Sequence, residues 1–189
     1  MIAAMEPPGI TRHRRPFLAP LWVTLLALLV AAGVVYAVYR SAGTTVVVLA
    51  SSGEKDPATI DDPPISAEGE RRAQRLAQMF APGGEGGRIG ALYVSGERRA
   101  QQTAAPVAEL TRLAPTAYEV RDAPAVAAGI LRSHEGGAVL VIGGPATLQQ
   151  FLRQLTGAGS AGQGVADPDL LYIVSVPTFG RAQVLRLRY

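Results

Sequence analysis

Val46–Lys55 reads VVVLASSGEK, and the break inside it decides the fold. Thr44–Ala50 is an unbroken β-branched and apolar run, the composition of a strand buried on both faces of a parallel sheet. At Ser51 and Ser52 the run gives way to a loop carrying Gly53, Glu54 and Lys55. In open α/β sheets, ligands collect beyond the carboxyl ends of the strands, so this loop is the first candidate site.

Downstream, strand and helix signals alternate. Ser51–Ile65 is a polar, proline-containing loop. Ser66 is placed to cap a helix to Phe80, with Ala73, Leu76, Ala77 and Phe80 on one apolar stripe. Gly83–Gly87 is a flexible break, and Ile89–Val94 is a second strand. Glu97–Leu113 reads as a helix with Ala104, Val107, Ala108 and Leu113 inward, which Pro106 should kink or interrupt. A short strand at Ala117–Val120, a helical patch at Pro124–Arg132 and a fully apolar strand at Ala138–Ile142 follow. A helix starting at Pro145 has Leu148, Phe151, Leu152 and Leu155 as its apolar face. Gly157–Asp169 is Gly- and Ala-rich, and Leu170–Val176 and Ala182–Tyr189 close the chain as a hairpin. The pattern predicts an α/β fold: a three-layer α/β/α sandwich whose mostly parallel sheet ends in an antiparallel C-terminal hairpin.

Ahead of this domain, Phe17–Tyr39 runs 23 residues without a charge. At about 1.5 Å per residue it reaches roughly 35 Å, enough to cross a bilayer core. Trp22 lies near one end and Tyr36 and Tyr39 near the other, where amphipathic rings favour the interface. Ala31 and Gly33 could serve a signal-peptide cleavage site after Leu21–Val30. The apolar run continues past them to Tyr39, which favours an uncleaved transmembrane signal anchor. Arg12, Arg14 and Arg15 precede the segment, so residues 1–16 are expected in the cytoplasm, with the domain at 43–189 periplasmic or extracellular.

The net charge of +3 belongs to this end of the chain. Residues 1–40 hold four arginines against Glu6 alone, whereas residues 41–189 hold 14 basic and 14 acidic residues. A neutral domain lacks the basic face of a nucleic-acid binder, so no such partner is expected. The chain has no cysteine and two histidines, His13 and His134. That supply is too small for a metal cluster, and no metal or cofactor is expected.

Three segments should open onto one sheet edge: Ser51–Lys55, Ser95–Thr103 and Gly143–Thr147. The second reads SGERRAQQTA over Ser95–Ala104, a Ser followed by an Arg and then Gln-Thr-Ala. It resembles the second motif of the histidine phosphatase (phosphoglycerate mutase-like) superfamily. Asp62–Gly69, DPPISAEG, resembles that family's approach to its first helix, and Val139–Gly144, VLVIGG, the strand ending in Gly-His.

The resemblance implies the family's fold over residues 43–189 and a phosphoryl-transfer site with most of its catalytic groups exchanged. Ser51 stands at the position of the first arginine, Ser52 at the nucleophilic histidine and Gly144 at the second histidine. Arg99 keeps the phosphate-binding arginine, and Glu54 is retained. A degenerate member would be a membrane-anchored pseudoenzyme that binds a phosphorylated or anionic small molecule, or a protein partner, with Arg99 and Ser52 as ligand-binding residues. Two alternatives stand beside it. A remodelled hydrolase would use Ser52, Glu54 and Arg99, although a serine hydroxyl is a weak nucleophile without a base in reach. A purely structural or interaction domain would leave Arg99 without a ligand. His134, ahead of its strand, should lie at the opposite end of the sheet.

Overall fold

The computed structural model describes residues 21–41, 43–53, 64–157 and 169–189. It comprises two compact units, residues 1–39 and 40–189.

The first unit's described residues, 21–39, belong to α1 (Leu21–Ser41), a 21-residue helix. Its described side chains are exposed, among them Trp22, Leu25, Leu28, Val35 and Tyr36. Among the described residues no helix is long and apolar enough to cross a membrane. The described side chains of α1 run only from 22 to 37, and residues 17–20, the start of the expected span, lie outside the described residues.

The second unit is one six-stranded sheet in the order β3-β2-β4-β1-β5-β6. The strands are β1 (Thr44–Ser51), β2 (Ala91–Ser95), β3 (Pro115–Tyr118), β4 (Ala138–Gly143), β5 (Leu170–Pro177) and β6 (Gln183–Arg188). β1 through β4 are mutually parallel where they pair, and β5 and β6 run antiparallel. The helices are α2 (Ala67–Phe80), α3 (Arg98–Thr111), α4 (Ala123–Ser133) and α5 (Pro145–Thr156).

Alternation along the central strands builds two cores. Val47, Leu49, Val139 and Val141 pack with Ala127, Ile130, Leu148 and Phe151 of α4 and α5. Val48, Ala50, Leu140 and Ile142 pack with Leu76, Phe80, Ala104 and Val107 of α2 and α3. Both faces of β1 and β4 are therefore covered, which is why these strands read as continuous apolar runs.

Ser66 caps α2 by accepting from Gly69 N at 3.1 Å, and its stripe of Ala73, Leu76, Ala77 and Phe80 is buried as expected. Three expectations are corrected. Of the kink or interruption expected at Pro106, the interruption is absent: α3 runs through it to Thr111. A proline removes one backbone bond, and the inward packing of Ala104 and Val107 holds the helix across that gap. β3 begins at Pro115, two residues earlier than expected, because its pairing with β2 sets the register from Leu92↔Pro115 to Ser95↔Tyr118. Val120 then belongs to a 3₁₀ turn, Val120–Asp122, which leads into α4. The stretch 158–168 lies outside the described residues.

Candidate functional site

The register brings the three chosen segments level. Ser51 pairs with Gly143 and Val94 with Ile142, so β1, β2 and β4 end at Ser51, Ser95 and Gly143 on one sheet edge. Ser52 N donates to Gly143 O at 2.9 Å, extending the ladder one residue beyond β1. Gly53 N donates to Thr103 Oγ1 at 2.9 Å, and Thr103 Oγ1 donates to Arg99 O at 2.8 Å. One hydroxyl thus ties the end of β1 to the first turn of α3. A Cβ on Gly53 would come 3.0 Å from Ile65 Cγ2 and 3.2 Å from Gly69 Cα. Glycine at both 53 and 69 lets the loop cross the start of α2 at this separation.

The turn is held from beneath by Arg72, which is 1% exposed. Its Nη2 donates to Ser52 O at 3.0 Å and Ser51 O at 3.4 Å, and its Nη1 lies 3.5 Å from Asp169 Oδ1. Sequence reading missed Arg72, although a signal was present. Arg72 lies four residues before Leu76 and eight before Phe80, on the inward side of α2.

Ser51 and Ser52 are both buried. Ser51 Oγ donates to Ser52 O at 3.4 Å, whereas Ser52 Oγ has no hydrogen-bond partner among the described residues. Ser95 Oγ, fully buried, and Glu97 Oε2 are also without partners. Glu97 is the N-cap of α3 but its side chain makes no cap bond. It leans over Gly144, the N-cap of α5, where an added Cβ would come 3.0 Å from Oε2 and 3.2 Å from Oε1. Beside them Tyr118 OH donates to Ile142 O at 3.3 Å. Burial, and next the charge of Glu97, push the Tyr118 phenol well above the usual tyrosine range.

Arg99 is half-buried in the first turn of α3 and makes no side-chain hydrogen bond among the described residues, while Arg98 is exposed. The leading N–H groups of α3 and α5 have no intrahelical acceptors and favour an anion at this edge. Glu54 lies outside the described residues. His134 is at the opposite edge, as expected. It is not merely solvated: Tyr93 OH lies 3.1 Å from its Nε2, and the rings meet edge-on at 5.9 Å. Among the described residues no group of three metal-binding side chains converges. Two clefts, of about 460 and 350 Å³, lie at Phe80–Gly90 and between α2 and α3, the second bordered by Ile65 and Gln102.

Residues 53–122 match the model of the histidine phosphatase superfamily, branch 1. The structure superposes on the protein histidine phosphatase SixA complexed with tungstate, with a TM-score of 0.61 over 76% of this chain and 96% of that one at 17% identity. This chain has the histidine phosphatase fold. The same fold is matched in a mycobacterial glucosyl-3-phosphoglycerate phosphatase complexed with inorganic phosphate, at a TM-score of 0.60 and 14% identity over 76% of this chain and 97% of that one. A mycobacterial hydrolase matches at a TM-score of 0.59 and 14% identity over 77% and 99% of the two chains. No curated protein matches in sequence. Within the histidine phosphatase fold, the family match begins at Gly53, directly after Ser51 and Ser52, and ends before Gly144. Arg99 and the Gln-Thr-Ala run at 102–104 lie inside it.

Proposed function

We propose that this protein is a membrane-anchored histidine phosphatase-fold protein that binds a ligand without transferring phosphate. The observation that carries this reading is the state of Ser52. Ser52 is 3% exposed, and its buried hydroxyl has no hydrogen-bond partner among the described residues, which do not include Glu54. Phosphoryl transfer through a covalent intermediate needs an activated nucleophile. Neither Ser51 nor Gly144 offers a cation or imidazole to offset charge in a transition state. His134, the described histidine, is held by Tyr93 at the far edge.

Arg99 is the retained family cation that could meet an anionic group, since a guanidinium fork suits phosphate or carboxylate. The fold is shared with a phosphatase complexed with tungstate and with one complexed with inorganic phosphate, which is in keeping with an anionic ligand here. The membrane part of the proposal rests on the uncharged stretch 17–39, which contains most of α1. Activity of a C-terminal reporter that works only in the cytoplasm would refute the proposed orientation.

The deciding experiment is phosphate release from a broad panel of phosphate esters by the purified chain, with Arg99→Ala in parallel. The expected outcome is no turnover above Arg99→Ala. Turnover that Arg99→Ala abolishes would sink the proposal and make Ser52 the residue to replace next.

A further inference from the structure

The edge that carries His134, opposite the strand ends, is also where the chain enters the sheet. Gly43 precedes β1, and the turn between β5 and β6 is fastened to it. Thr178 N and Thr178 Oγ1 both donate to Gly43 O, at 3.2 and 2.8 Å. Thr44 pairs with Pro177, so the start of β1 and the end of β5 are level. Gly43 also lies against the turn between α4 and β4, where an added Cβ would come 3.0 Å from Gly136 Cα. The entry point and the hairpin tip are thus held together.

The tip reads TFGRA over Thr178–Ala182. Phe179 is 71% exposed, more than any other large apolar side chain among the described residues of the domain. Gly180 takes φ 119°, a conformation that lets the chain reverse directly after Phe179. Arg181, exposed, is the one charge of the tip. A single exposed aromatic is ordinary on a protein surface. The distinction of Phe179 is its neighbour, Thr178, which is bonded to the entry point of the chain.

The uncharged stretch 17–39 ends four residues before Gly43. Even fully extended, four residues reach no more than about 14 Å. The headgroup layer outside a hydrocarbon core is itself roughly 5–8 Å deep. A domain on so short a tether has its entry edge, and the tip fastened there, within reach of lipid. An apolar ring next to a guanidinium matches that layer: the ring enters the acyl boundary and the cation meets phosphate.

We infer that the β5–β6 tip docks on the leaflet from which the chain emerges, Phe179 entering the headgroup–acyl boundary and Arg181 pairing with lipid phosphate, so that the Ser52–Arg99 edge faces away from the bilayer. This rests on the membrane-anchored reading above.

The chain has no cysteine, so one introduced thiol takes one nitroxide label. The full chain labelled at Phe179→Cys, or at Arg121→Cys as control, is reconstituted into phosphatidylcholine vesicles containing about a quarter phosphatidylglycerol. Arg121 follows β3 at the other edge, and its side chain is 84% exposed. Depth is read from the ratio of oxygen to nickel-chelate collisions. The label at 179 should lie about 5 Å or more below the lipid phosphates, and the label at 121 in water. Adding Arg181→Gln should lower the docked-to-lifted ratio at 179 about fivefold, and an unaltered ratio overturns the part given to Arg181. A chain that floats with the vesicles but leaves the label at 179 as open to nickel chelate as that at 121 overturns the docking alone. Protection at 179 that vanishes as the chain is diluted with lipid gives the tip to a second copy and overturns the docking too. A chain that does not float with the vesicles refutes the anchor, and the docking with it.

Discussion

Replacing Arg72 by Met should lower the stability of the domain by about 2–4 kcal/mol. Methionine keeps most of the buried stem and removes the guanidinium. Two carbonyls then lose their donor: Ser52 O, at 3.0 Å, and Ser51 O, at 3.4 Å. A hydrogen bond to a charged donor contributes roughly 1.5–3 kcal/mol, with the longer bond at the low end. The contact with Asp169 adds less than about 1 kcal/mol, because that carboxylate is 51% exposed and screened by water. Relief from burying a guanidinium offsets part of the loss. For a chain of this size the change corresponds to a fall of roughly 6–12 °C in Tm. Thermal unfolding of the full chain by far-UV circular dichroism reads it. Arg75→Met is the control, since Arg75 sits on the same helix with its side chain 49% exposed. A shift below about 2 °C, equal to the control, would refute the reasoning: the Ser51–Ser52 turn would then stand on the Ser52–Gly143 and Gly53–Thr103 bonds alone.

Two further outcomes follow from the packing of Tyr118. Gly143→Ala would bring a Cβ to 2.6 Å from the Tyr118 hydroxyl and should cost about 1–3 kcal/mol in denaturant unfolding. Adding Tyr118→Phe removes the clashing atom and should recover much of that loss; strictly additive effects would show that the clash is not the cause. The raised Tyr118 phenol also fixes a sign for alkaline pH. The unfolded chain releases this proton first, so stability should be unaffected below about pH 10 and fall as pH rises beyond it. If Tyr118→Phe leaves the alkaline limb of the stability curve unchanged, that assignment fails.

The sheet was legible because burial on both faces writes itself into sequence. Val46–Ala50 and Val139–Ile142 are continuous apolar runs, and in the structure both are sandwiched between helix pairs. The helix starts at Ser66 and Pro145 were equally legible, because capping and first-turn preferences are local. β3 was misplaced by two residues because its register is set by Leu92 and Ser95, not by its own weak pattern. At the strand ends, the pattern marked the segments Ser51–Lys55, Ser95–Thr103 and Gly143–Thr147, and the family resemblance singled out Ser51, Ser52, Arg99 and Gly144 within them.

The partners of Arg72 and the placement of Glu97 came only with the tertiary structure. An arginine in an Arg-rich helix and a glutamate in a charged turn look like solvated surface groups. What makes the first a buried strut is the approach of α2 beneath the end of β1. What gives the second its place is the absence of a side chain on Gly144, which leaves room for its carboxylate. By itself the sequence determined an α/β sheet, its helices and the edge where chemistry would gather, because those follow from periodicity and local backbone preference. Only the tertiary structure decided which charges stand at that edge and which of them lack partners, because such contacts join residues distant in the chain.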